Sequence, residues 1–186
     1  MTRVADQGAE PAPRSIGAMI CGVAAGAFGT LAMDAALYRR YLRGGGDVAF
    51  PAWESSEGLV SWENAPAPAL VAKQILERLF KHQVPPEYAR ALNNETHWGF
   101  GLAAGAGYGL LLGSRKPKVW CGLPFGAAVW ASGYVVLPQL GVYQPIWKYD
   151  LKTLWDDLSV HLVYGTATAG AFRLLTRMNN ERSTRA

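Results

Sequence analysis

Apolar residues along this chain gather into four long runs, 16–37, 96–113, 119–137 and 158–175, separated by markedly more polar stretches. Each run approaches the ~20 residues an α-helix needs to cross about 30 Å of hydrocarbon. The second and fourth are the shortest. Charged or titratable residues are sparse within them: Asp34 in the first run, His97 in the second, and His161 and Arg173 in the fourth. The pattern predicts an all-α polytopic membrane protein, a single membrane domain over 1–186 with four transmembrane helices.

Between the first and second runs lies a long polar loop, 38–95. Within it the spacing of Leu70, Val71, Ile75, Leu76, Leu79 and Phe80 predicts an amphipathic helix over 68–82, with Lys73, Glu77 and Lys81 on its other side. Pro68 suits the first helical position, and Pro85-Pro86 is expected to end the helix. Such a helix is expected to lie on the membrane surface or over the bundle.

Composition sharpens this picture. Half of the chain is apolar and 17% is charged, below the roughly 25% of an average soluble domain. Glycine clusters inside the apolar runs, as Gly22, Gly26 and Gly29 in the first and Gly101, Gly105 and Gly109 in the second. In a helix in water each glycine costs about 1 kcal/mol relative to alanine. In lipid the same residues let helices approach closely, so these faces are expected to serve internal packing or homo-oligomer contacts. Cys21 and Cys121 sit inside apolar runs with no CxxC spacing and read as small packing residues. The first run is longer than the core of a signal peptide and is read as a retained span.

The net charge of +4 comes from Lys and Arg flanking the runs, which speaks for the lipid bilayer as partner and against nucleic acid. Arg3, Arg14, Arg115, Lys116, Lys118, Arg173, Arg177, Arg182 and Arg185 outnumber Arg39, Arg40, Arg43, Arg90, Lys148 and Lys152 at the opposite ends. Both termini are therefore expected in the cytoplasm, with the long loop outside. Six tryptophans, Trp53, Trp62, Trp98, Trp120, Trp147 and Trp155, fall near run ends or in the outer loops, as interfacial anchors do.

The chain also matches itself. Cys21-Gly22-Val23-Ala24-Ala25-Gly26-Ala27 aligns with Cys121-Gly122-Leu123-Pro124-Phe125-Gly126-Ala127, and Pro51-Ala52-Trp53 with Pro145-Ile146-Trp147. His97-Trp98-Gly99-Phe100-Gly101 then aligns with His161-Leu162-Val163-Tyr164-Gly165, and the three matches keep the same order. Two hairpins related as parallel repeats are expected, with the long loop inserted in the first.

Ionisable residues within spans are costly and are the default functional candidates. The repeat places His97 and His161 at equivalent positions, with Asn93 and Asp157 each one helical turn earlier, where each can face its histidine. Asp34 is expected near the same side of the membrane. One reading makes Asp34, Asn93, His97, Asp157 and His161 structural contacts between helices. Another makes them a proton- or ion-handling site, since a histidine beside a carboxylate titrates near neutral pH. A third has the two imidazoles bracket a haem or help hold zinc. No nucleophile elbow, phosphate loop or HExxH is present, so no catalytic residue, resident metal or cofactor is expected and an enzyme is not the reading taken.

The four-run layout, the small-residue first run, the His161-Leu162-Val163-Tyr164-Gly165 stretch and the basic tail together resemble the YagU-like family of small bacterial inner-membrane proteins. The resemblance implies an inner-membrane location and a role linked to acid tolerance. It supplies no catalytic residues.

Overall fold

The structure is a computed structural model that describes residues 12–112 and 118–183, with backbone alone for 12–15 and 180–183. The expected end of the second run, Gly113, lies outside the described residues, as do Arg3, Arg115, Lys116 and Arg185. Six α-helices account for the fold: α1 (Ala12–Arg43), α2 (Phe50–Glu54), α3 (Ala67–Phe80), α4 (Ala89–Leu112), α5 (Gly122–Val136) and α6 (Leu151–Ser183). No strand occurs among the described residues.

The long helices overrun the apolar runs that announce them. At 32 and 33 residues, α1 and α6 reach roughly 50 Å at 1.5 Å per residue. The overrun follows from polar flanks that hold no glycine or proline to stop a helix, such as Tyr38–Arg43 after the first run and Leu151–Asp157 before the fourth. Arg40 and Arg43 in the last turn of α1 complement its dipole. The helix stops where Gly45 adopts φ 91°, a conformation glycine reaches without steric cost.

Two short elements of the loop have local causes. Helix α2 begins with a proline, Pro51, in its first turn, where a missing N–H costs nothing. Helix α3 ends earlier than its expected limit because Lys81 turns left-handed at φ 57° and returns its N–H to the Glu77 carbonyl. Pro85-Pro86 comes after the helix has already stopped.

Helix α1 is central, packing against both α4 and α6, while α6 also packs against α5 and α3 lies on α4. All three long pairings are antiparallel. Gly22 of α1 meets Gly105 and Gly109 of α4, whereas Asp34 meets His97. Gly29 faces Tyr164 and Thr168 of α6, and Arg40 faces Asp156 and Ser159. Helices α1 and α5 thus run one way, α4 and α6 the other. The core is small and joins all four: Ala25, Tyr108, Ala169 and Phe172 are buried, with Phe125 of α5 against Tyr108 at 4.8 Å between ring centroids. Tyr164 donates to the Gly101 carbonyl at 2.7 Å and ties α6 to α4.

Glycine sets the registers. A Cβ at Gly22 would overlap the Gly105 carbonyl, and one at Gly26 the Gly101 carbonyl. In the matching pair, Gly122 lies on the Gly165 carbonyl and Gly126 on that of His161. Since Gly165 aligns with Gly101 and His161 with His97, α5 sits on α6 one helical turn away from where α1 sits on α4.

Side chains are distributed against the soluble norm. Thr30, Asp34, Asn93 and Thr168 are buried, while Ile16, Ile20, Phe28, Leu111, Leu123, Val135 and Leu174 are exposed. Two helical stretches, Ile16–Arg43 and Val119–Leu140, are long and apolar enough to cross a membrane. Helices α4 and α6 have the length but carry more polar residues, among them Glu95, His97, Asp156, Asp157, His161 and Arg173.

Candidate functional site

The polar centre forms where the last third of α1 crosses the first third of α4. Asp34 projects from α1 with 3% of its surface exposed. Across the interface, His97 of α4 meets it with 2.9 Å between Nε2 and Oδ1. The other carboxylate oxygen, Oδ2, is buried without a hydrogen-bond partner.

Helix α2 and the turn after it fold over this pair. Trp98, the residue beside His97, donates its indole N–H to Glu54 Oε1 at 3.1 Å. Asn93 donates to Ser56 Oγ at 3.0 Å, and Asn94 to the Ser55 carbonyl at 2.9 Å. Arg90 donates to the same carbonyl and to Ser55 Oγ, and pairs with Glu57 at 3.9 Å. Residues 90, 93, 94, 97 and 98 share one face of α4 by helical spacing. Ser56 is held in the left-handed region at φ 52°, which side chains rarely adopt. Rings of Tyr38, Tyr41, Phe50 and Trp53 pack together beside the turn, their centroids 5.1 to 6.2 Å apart.

Glu54 ends α2 beside this pair. Burial, then the charge of Asp34, pushes its pKa above the ordinary value. The Trp98 bond and His97 pull it down without cancelling the effect.

A second centre lies between α5 and α6. Tyr134 donates to Asp157 Oδ2 at 3.0 Å, and His161 Nδ1 stands 2.8 Å from the Asp157 carbonyl and 3.4 Å from its carboxylate. Tyr143 and Tyr149 pack on Tyr134. Burial, then the Asp157 charge, raises the Tyr143 phenol to about 12. Tyr134 occupies the position that aligns with Asp34. The one-turn offset therefore brings it to Asp157, the counterpart of Asn93, and not to the second histidine.

The sequence-based pairings hold in one half and change in the other. Asp157 orients His161 along one helix as its spacing suggests. Asn93 turns to Ser56 instead, because Asp34 from the neighbouring helix claims His97. The two imidazoles face different carboxylates, and no hydrogen bond joins the two centres among the described residues. Nor, among those residues, do three His, Cys, Asp or Glu side chains meet in a way that would hold a metal ion. Glu54, Tyr134 and Arg40 escape a reading of the sequence as single positions. Two carried a signal: Glu54 follows the repeated Pro-x-Trp, and Tyr134 aligns with Asp34. Arg40, which donates to the Asp156 carbonyl at 2.5 Å and to Ser159 Oγ at 2.6 Å, carried none.

Comparison with protein-family models, with characterised proteins and with solved structures returns no match.

Proposed function

We propose that this chain is an integral membrane protein in which α1, α4, α5 and α6 all span the bilayer, as two hairpins related as parallel repeats. Its polar centre at Asp34 and His97 handles a small cation and catalyses no covalent reaction. The observation that carries this reading is the inversion of side chains: a carboxylate 3% exposed inside, and large apolar groups exposed around it. A core helix of a soluble protein is mostly buried, yet only 28% of the apolar window in α1 and 17% of that in α5 is buried. Lipid satisfies such a surface, and ionisable groups within a bilayer face the bundle interior where they do work.

Both termini lie in the cytoplasm on this reading, and the cap over Asp34 faces the other side. A cation-handling centre at that face suits an inner-membrane component acting under acid stress, the role implied by the YagU-like resemblance. The test is reconstitution into liposomes with proton, sodium and potassium fluxes measured separately. Flux of one of these is expected in the wild type and lost in Asp34→Asn. Liposomes that stay tight with folded wild-type protein overturn the cation reading. A lower melting temperature in Asp34→Asn without any flux in either protein assigns the pair a bracing role.

A further inference from the structure

The Asp34 oxygen that lacks a donor and the neighbouring acid Glu54 explain one another. Trp98, the neighbour of His97, brings Glu54 beside the Asp34–His97 pair, and the charges of Asp34 and His97 both act on it. An imidazolium offsets one carboxylate but not two, so the trio keeps a negative charge where water is scarce, which is costly. One more proton neutralises it. A carboxylic acid is both acceptor and donor. Glu54 Oε1 already accepts from Trp98, so a proton on this carboxyl belongs on Oε2. Asp34 Oδ1 is engaged by His97, and Oδ2 is buried, unpartnered and able to accept.

Glu54 also differs from the other two in what holds it. Asp34 and His97 ride on the long helices α1 and α4, whereas Glu54 ends the five-residue α2. That helix joins α1 through Gly44-Gly45-Gly46, and the turn after it is pinned to α4 through Arg90, Asn93 and Asn94.

We propose that the cation of this site is a proton, that Glu54 takes it from the water outside and shares it with Asp34, and that segment 50–57 loosens when Glu54 gives it up. This rests on the small-cation reading above and names its ion. With the proton in place, Glu54 bridges Trp98 and Asp34 and the segment is pinned over the pair. Without it, two like charges act on each other across the pair, and their repulsion favours lifting the one on the lighter element. The groups facing Glu54 are Asp34 from α1 and His97 and Trp98 from α4. Arg90 is spent on Ser55 and Glu57 and does not replace the proton.

Hydrogen–deuterium exchange of segment 50–57 in the detergent-solubilised full chain tests this. Wild type and Glu54→Gln are compared at each pH, so that intrinsic exchange rates cancel. At pH 5 the two are expected to exchange alike. At pH 8 the wild-type segment is expected to exchange faster, by up to about tenfold for each unit by which the pinned pKa exceeds the released one. Asp34→Asn removes the charge that Glu54 faces and is expected to reduce the pH dependence as well, which serves if Glu54→Gln does not fold. Equal exchange in wild type and Glu54→Gln at both pH values overturns the proposal, as do liposomes that pass sodium or potassium but no protons. In that last case the small-cation reading stands without it. Conversely, pH-dependent loosening without flux upholds the proton site and removes the transport role.

Discussion

At Glu54, burial and a facing carboxylate act in the same direction, and the consequence for stability has a definite sign. A carboxyl whose pKa is raised on folding binds its proton more tightly in the native state than in the unfolded one. Stability then falls as pH climbs from the ordinary value of 4.5 through the raised one. Glu54→Gln keeps an oxygen for Trp98 and cannot ionise. It is therefore expected to match the wild type below about pH 4 and to exceed it at pH 8, by a few tenths to about 1 kcal/mol given the partial solvent screening of this position. Thermal melting of both proteins across that range checks it, and a wild type equal to or more stable than Glu54→Gln at pH 8 contradicts the assignment. At this scale the sequence marked Asp34, His97 and His161 because an ionisable group in an apolar run stands out. It could not pair them correctly. Spacing along one helix reports neighbours on that helix, so Asn93 looked like the partner of His97. Asp34 wins that place only through the register between α1 and α4.

Register is a property of elements, and here it rests on where side chains are absent. A Cβ at Gly105 would meet the carbonyl of Gly22 and the Cα and N of Gly26, backbone atoms that cannot step aside. At Gly107, two residues on and on the opposite side of α4, a Cβ would meet nothing within 4 Å. Gly105→Ala is therefore expected to cost at least the 1–3 kcal/mol typical of overpacking and to pull Asp34 away from His97. Gly107→Ala is expected to be neutral or to stabilise by up to about 1 kcal/mol through helix propensity. Melting of the two variants separates them, and equal behaviour would mean that α1 and α4 do not make this contact. The runs of apolar residues made the long helices legible, since length and hydrophobicity are local. Their true ends were not, because polar residues such as Arg90, Asn93 and Asp156 continue a helix as well as apolar ones do. Helix α2 went unread for a different reason. Five residues give no periodicity to detect, and the packing of Trp53 on Tyr38 of α1 does not show in spacing.

For the whole molecule, the antiparallel order of α1 against α4 and α6, and of α6 against α5, places the start of α1, the end of α4, the start of α5 and the end of α6 at one end of the bundle. Both polar centres lie at the other. The repeat in the sequence anticipated two centres of the same make, but the one-turn offset between the two pairings gives them different chemistry: carboxylate to imidazole in one, phenol to carboxylate in the other. The offset follows from backbone contacts at Gly101 and Gly165, which a residue-by-residue alignment cannot express. If α1 and α5 alone crossed the membrane, α4 would have to leave the bilayer while Gly109, Gly105, Gly101 and His97 stay against Ala18, Gly22, Gly26 and Asp34 of α1, and Phe28 and Leu111 could not both face lipid. Four crossings, as proposed above, are compatible with every pairing at once. They require the two chain ends to share a compartment and the Gly44–Gly46 turn to face the opposite one. A fluorescent protein that matures only in the cytoplasm, fused after residue 186, is expected to glow. A membrane-impermeant thiol reagent is expected to label Gly45→Cys, in a chain with Cys21 and Cys121 changed to Ala, from outside intact cells. Fluorescence without that labelling would put the cap in the cytoplasm and reverse the side from which Glu54 could draw its proton.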